Sequence, residues 1–268
     1  MSYLHRPFSF MAASNRERSY SVWVLAVMMF ILSACGSAET TLVVSETSDT
    51  YYEINESLAA DANMSRLLAP YITNMNSRMN QVIAYSETPI TRGRPEGTLN
   101  NLSADILRFR AVRELGHPVE IGVANFGGLR APLPQGNITV GNIYELMPFE
   151  NMIAVLKLTG EQVQTMANQI AVRNGEPVSG IRFRIEDGRA YDILVGHEPL
   201  RNERTYWVAT NSYVADGGDG ISVFTEAQER IDLPVLIRDA MIEYIRARRH
   251  LNYELEQRIR LSSSSSEE

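Results

Sequence analysis

Hydrophobic positions along this chain switch between helical and strand spacing without a regular repeat. Leu67, Leu68, Tyr71, Ile72, Met75, Met79, Val82 and Ile83 recur at helical spacing. They predict an amphipathic helix over residues 64–84, with Pro70 in its early turns. Leu99, Leu102, Ile106, Leu107, Val112 and Leu115 predict a second helix that Gly116 can cap. Val119–Ala124 reads as a short strand and runs into Asn125-Phe126-Gly127-Gly128-Leu129-Arg130. Thr139 opens a short helical stretch that Pro148 stops. Met152–Leu158 alternates as a strand, and Thr159 with Gln162 forms a capping box for a helix through Ala171. Ile181–Ile185 and Tyr191–Val195 flank Asp187-Gly188, a hairpin signature. Thr205–Thr210 is a further strand leading into Asp216-Gly217-Gly218-Asp219-Gly220, and Leu233–Arg249 reads as a closing helix. This irregular mixture predicts an α/β (α+β) layered domain with a mixed sheet.

The two ends of the chain lack that pattern. Arg6, Arg16 and Arg18 precede an apolar run from Val22 to Leu32 that ends in Leu32-Ser33-Ala34-Cys35. As a helix, Val22 to Ala34 would span roughly 20 Å, short of the ~30 Å hydrocarbon core of a bilayer. A basic start, a short apolar stretch and small residues before the cut describe a secretory signal over 1–34. The Leu-Ser-Ala-Cys ending resembles the lipobox of bacterial lipoproteins, which implies lipidation at Cys35. The expected location is the bacterial cell envelope, periplasmic or surface, with membrane attachment through the lipid anchor. Residues 35–57, rich in Ser, Thr and Glu, are expected to be a flexible spacer. Residues 58–255 are the expected folded domain, and 256–268 a polar disordered tail.

Composition narrows the chemistry. With 44% hydrophobic and 21% charged residues in 268, the chain can build a core, which excludes global disorder. One cysteine excludes an intramolecular disulfide framework and any site needing several thiolates. The net charge of −7 becomes −9 once the signal leaves with its three arginines and Glu17. Such a balance argues against nucleic acid as a partner. The four histidines are scattered, with no two at metal-ligand spacing, so no metal or other cofactor is expected in this chain. Lys157 is the only lysine among 25 basic residues, so an arginine in a loop carries less information here than in a mixed background.

Two loops can carry chemistry. In Asn125–Arg130 the glycines let backbone N–H groups approach a ligand, Arg130 can address an anion, and the Asn125 amide can pair with a heterocycle edge. An ordinary turn with a solvated arginine would look the same. In Asp216–Gly220 a carboxylate held between glycines can accept bonds from vicinal hydroxyls, as on a ribose, although a hairpin turn is the plain alternative. A calcium loop would need more oxygen ligands. Phe149 and Tyr213, expected on separate loops, can sandwich a planar base, although either aromatic taken singly is more often a core residue.

Taken together and in order, Asn-Phe-Gly-Gly-Leu-Arg (125–130), Met-Pro-Phe-Glu-Asn (147–151), Leu-Thr-Gly (158–160) and Asn-Ser-Tyr-Val-Ala-Asp-Gly-Gly-Asp-Gly (211–220) resemble the C-terminal domain of the 5′-nucleotidase family. The stretch Pro95–Leu102 and the helix before it fit the same resemblance, which covers about residues 60–250. It implies a domain that binds the nucleoside part of a nucleotide. Phe149 and Tyr213 would stack the base, Asn125 would stand beside it, and Asp219 would hold the ribose hydroxyls. Arg130, with Gly127 and Gly128 in its motif, would bind phosphate or ribose. A further phosphate-binding arginine falls near Arg92 and Arg94, and the register does not choose between them.

Full members of that family carry a metallophosphatase domain with two metal ions. No Asp-x-His or Gly-Asn-His motif of that kind occurs here, and fewer than 60 residues precede the resembling region. The sequence therefore leads to the nucleotide- or nucleoside-binding half of a split 5′-nucleotidase, a hydrolase type whose metal-binding catalytic domain this chain lacks. A separate metallophosphatase chain would supply the divalent metal pair. The alternative is a non-catalytic surface lipoprotein that binds nucleosides or nucleotides. A structural module with a decayed site is a third reading, which the presence of Asn125, Arg130, Phe149, Tyr213 and Asp219 together opposes.

Overall fold

The computed structural model describes residues 57–262, together with Trp23, Val27, Met28, Tyr51 and residues 53–55. Backbone contacts divide the chain after Ala59, and the unit from Ala60 onward carries the fold. Apart from Trp23, Val27 and Met28, the expected signal lies outside the described residues, as do the Cys35 lipidation site and most of the spacer.

Helix α1 (Ala62–Met79) starts where the Asp61 side chain accepts the Met64 N–H, and it carries Pro70. It ends short of the expected residue 84. Val82 and Ile83 belong instead to strand β1 (Val82–Ser86), which pairs with β3 (Gly136–Thr139) and β11 (His250–Leu251). β-Branched residues suit a pleated ladder better than a last helical turn. Helix α2 (Thr98–Leu115) ends as expected at Gly116, whose φ of 70° closes the last turn. Strand β2 (Ile121–Val123) follows.

Thr139 and Thr159 each open a helix through a reciprocal capping box, with Asn142 for α3 (Val140–Leu146) and Gln162 for α4 (Gly160–Val172). Between them runs strand β4 (Met152–Thr159). The short β5 (Val178–Ser179) leads into the hairpin of β6 (Ile181–Glu186) and β7 (Arg189–Val195), which turns at Asp187-Gly188. Strand β8 (Glu198–Pro199), strand β9 (Thr205–Asn211) and the single-turn helix α5 (Ser212–Ala215) complete the middle of the chain.

The closing segment departs from expectation at both ends. Residues 229–236 form strand β10 (Glu229–Leu236), and helix α6 starts at Ile237 and runs to Arg248. The ladder to β4 slips between Leu233 and Leu236, around Pro234, which has no N–H to give. β10 is an edge strand, where that loss is tolerated. The expected tail from 256 also begins too early. Ile259–Leu261 forms strand β12, parallel to β6, and Arg258 is 5% exposed. Residues 263–268 lie outside the described residues.

The strands make three sheets: β11-β1-β3, β10-β4-β9-β2-β5 and β12-β6-β7-β8. The five-stranded sheet is the middle layer, and β4 shows why. Ile153 and Val155 join a core with Leu102 and Ile106 of α2 and Met241 and Ile245 of α6. Ala154, Leu156 and Leu158 join the opposite core with Val163, Met166 and Ile170 of α4 and Phe183 of β6. Alternate side chains of a strand face opposite ways, so a run buried on both faces marks a covered sheet. Across the first core, Arg113 of α2, joined by Arg110, pairs with Glu243 of α6 and holds its carboxyl below the ordinary range. The apolar stripe of α1, including Leu67, Tyr71 and Met75, remains exposed.

Candidate substrate-binding site

Strands β2 and β9 run parallel and release their chains at the same edge of the sheet, one into Asn125 and the other into Asn211. In open sheets with parallel strands, that carboxyl edge is where ligands are bound. Here it opens into a cleft of about 320 Å3 lined by Asn125, Gly127, Gly128, Arg130, Phe149, Asn151, Tyr213 and Asp219.

The floor is a chain of hydrogen bonds. Asn211 caps α5 by accepting the Val214 N–H at 2.8 Å, and its amide donates to Asn125 Oδ1 at 2.8 Å. Asn125 Nδ2 in turn donates to Asp219 Oδ2 at 2.7 Å. Arg173 approaches the other oxygen, Oδ1, at 3.5 Å and donates from Nε to Glu176 at 2.8 Å. The hydrogen bond to Glu176, and its charge together with that of Asp219, raise the Arg173 pKa above its ordinary value against the cost of burial. Glu176, fully buried at its side chain, also accepts the Phe126 N–H at 2.5 Å. One buried carboxylate thus ties the glycine loop to the end of α4.

Glycine is required at two points. A Cβ on Gly128 would stand 2.7 Å from Asn125 Oδ1, and one on Gly218 would stand 2.5 Å from the Tyr213 ring. Either side chain would displace a wall of the cleft. Asp219 sits at φ 53°, a left-handed conformation that Asp tolerates better than most residues.

The rim is aromatic and cationic. Phe149 is 42% and Tyr213 49% exposed. The Arg130 guanidinium stands 6.0 Å from the Phe149 ring centre and has no carboxylate partner among the described residues. Arg238 of α6 donates to the carbonyl of Pro148 at 3.3 Å, which fixes the loop carrying Phe149.

The model for the 5′-nucleotidase, C-terminal domain, family matches residues 81–226. This chain belongs to that family. The trifunctional nucleotide phosphoesterase protein YfkN of Bacillus subtilis is 29% identical over 67% of this chain and 14% of its own length. A 5′-nucleotidase of Vibrio cholerae is 23% identical over 70% of this chain and 34% of its own. Among solved structures, the 5′-nucleotidase precursor of Thermus thermophilus superposes with a TM-score of 0.66 at 30% identity, covering 74% of this chain and 43% of that one. The chain therefore spans less than half the length of these relatives.

Within this family domain, seven of the residues singled out by sequence share the cleft: Asn125, Gly127, Gly128, Arg130, Phe149, Tyr213 and Asp219. Arg92 and Arg94 do not line it. Both guanidinium groups lie over the Phe126 ring, at 4.7 and 4.3 Å from its centre. Arg94 is engaged by Glu176 at 3.2 Å and by the carbonyls of Arg173 and Gly175. Arg92 donates to the Leu129 carbonyl at 2.9 Å and has no carboxylate partner among the described residues.

The Asn125 amide is also more committed than its sequence reading supposed. Its oxygen and one N–H are used within the floor, so its first effect is to aim Asp219. Sequence reasoning missed Arg173, Glu176, Asn211 and Arg238. Asn211 offered the one usable signal, an Asn three residues before Val214 at a helix start. Among the described residues, no three His, Cys, Asp or Glu side chains converge to hold a metal ion.

Proposed function

We propose that this domain binds the base and ribose of a nucleotide while a separate metallophosphatase unit hydrolyses the phosphate. The observation that carries the reading is the placement of two half-exposed rings, Phe149 from the loop after α3 and Tyr213 from helix α5, on one cleft with Asp219 and Arg130. Rings so placed suit a planar base. Asp219 keeps lone pairs for vicinal hydroxyls after accepting from Asn125. Arg130, with no carboxylate partner among the described residues, suits the charge of the phosphate end.

The chemistry of hydrolysis belongs to divalent metals on the other unit, and this chain contributes orientation. Binding energy collected on base and ribose is used to hold the phosphate where it reacts. The test mixes the purified domain with candidate metallophosphatases and follows phosphate release from AMP. At least one mixture is expected to exceed its phosphatase alone by about tenfold or more, as remote binding energy allows. If every mixture is no faster while adenosine still binds in calorimetry, the split-enzyme reading fails and a binding lipoprotein remains.

The same proposal places the chain on the bacterial envelope through a lipid on Cys35. The protein made in a lipoprotein-processing host should partition into detergent, and the Cys35→Ser form into the aqueous phase. Equal partitioning of the two would remove the anchor.

A further inference from the structure

A second depression, of about 550 Å3, opens where the chain leaves the five-stranded sheet for the four-stranded one. Ser179 is the last residue of β5, Gly180 turns at φ 72°, and β6 begins at Ile181. Helices α2 and α6 and the segment around Arg258 close the other sides. Ser179 pairs with Gly122, so this depression borders β2 itself, whereas the nucleoside cleft begins beyond the carboxyl end of that strand at Asn125. The two share no lining residue.

Its walls hold four arginines, Arg108, Arg182, Arg248 and Arg258, against two carboxylates, Asp105 and Glu256. Both carboxylates are already partnered. Arg258 binds Asp105 at 2.8 and 2.9 Å, and Glu256 stands 3.2 Å from Arg258 and 3.9 Å from Arg182. Arg108 and Arg248 have no carboxylate within 4.0 Å among the described residues. On a chain of net charge −7, such a cleft is out of keeping with its surroundings.

Arg108 is also pre-aimed. Its Nε donates to Ser179 Oγ at 2.9 Å, and that hydroxyl, on a residue 1% exposed, donates to Asp105 Oδ1 at 2.6 Å. The guanidinium is therefore anchored at one nitrogen through a relay to Arg258, and its four terminal N–H groups have no hydrogen-bond partner among the described residues. Arg248 lies over the Tyr244 ring, 4.8 Å from its centre. Beside them Phe109, 50% exposed, meets Tyr244 edge-on at 5.3 Å and gives the cleft an apolar wall.

We propose that this cleft is a second binding site, for a small organic phosphate monoester. The doubly charged phosphate would sit on Arg108 and Arg248, whose forked donors match its oxygens, and the organic part would lie on Phe109. The proposal stands apart from the nucleoside reading, since no residue is common to the two clefts.

Calorimetry with phenyl phosphate and with inorganic phosphate tests it. Phenyl phosphate is expected to bind at ~1 mM or tighter and inorganic phosphate more weakly. Arg108→Gln should weaken phenyl phosphate about tenfold, as loss of a charge-assisted contact does. Arg248→Gln, at an exposed position, should weaken it severalfold and keeps the test valid if Arg108→Gln does not fold. Phe149→Ala/Tyr213→Ala should leave this binding unchanged. No heat up to ~10 mM, wild-type affinity in folded Arg108→Gln and in Arg248→Gln, or loss of binding in the Phe149/Tyr213 variant would each overturn the second site. Equal affinity for the two probes would overturn the role of Phe109.

Discussion

Phe149→Ala combined with Tyr213→Ala is expected to weaken AMP and adenosine binding about 100-fold, a loss of ~2.7 kcal/mol. Base stacking contributes ~1–3 kcal/mol per ring. The two rings come from different elements, the loop after α3 and helix α5, and each would stack on its own face of the base. The lower part of that range applies, because each ring keeps 42–49% of its surface in solvent before any ligand arrives. For the same reason the fold should not suffer, since exposed side chains at neither a cap nor a turn change stability by about 0.5 kcal/mol or less. Calorimetry on the single and double variants, with melting curves as the control, measures this. Unchanged affinity in the double variant would remove the base clamp and with it the proposed function.

Arg258→Ala is expected to give the largest loss of stability, lowering the melting temperature by roughly 10 °C. Its side chain is 6% exposed, and its guanidinium binds both oxygens of Asp105 and donates to the Val178 carbonyl at 2.8 Å. Burial alone would lower its pKa, but the hydrogen bonds and charges of Asp105 and Glu256 together outweigh that and raise it. Removing one partner of a buried pair costs ~3–5 kcal/mol because the other charge is stranded. At ~2–4 °C per kcal/mol for a domain of this size, the shift is several degrees to more than ten. Asp105, 23% exposed, recovers some hydration, which favours the lower end of the energy range. A drop of less than ~2 °C, which that scale equates with under ~1 kcal/mol, would show that the C-terminal segment is not integral to the fold. AMP binding at the Asn125 cleft should survive below the new melting point, since Arg258 does not line that cleft.

Both variants bear on how much could be read from residues alone. The capping boxes at Thr139 and Thr159, the Asp187-Gly188 hairpin and the Gly116 cap depend on residues within a few positions of one another. Their physics is local, so the sequence shows it directly. The misjudged segments involve partners far along the chain. Val82 and Ile83 have an apolar spacing equally compatible with a helix, and pairing to residues 136–139 decides for strand. Leu233 continues the apolar pattern of α6, yet β4 draws it into a ladder. Ile259 and Leu261 sit in a mostly polar run too short to show a pattern, and their strand exists because β6 offers an open edge.

The cleft divides the same way. Asn125, Arg130, Phe149, Tyr213 and Asp219 were legible because their motifs keep a recognisable order, and that order was enough to identify the family. What the sequence by itself determined is therefore the set of residues that line the cleft, along with the local turns and caps that present them. Only the tertiary structure decided what holds them. Glu176 reaches back 50 residues to the Phe126 N–H, Asp219 is aimed by Asn125 across 94, and Arg258 closes on Asp105 across 153. A buried charge or amide is tolerable only where the fold brings its partner, and no spacing along the chain announces which partner that will be.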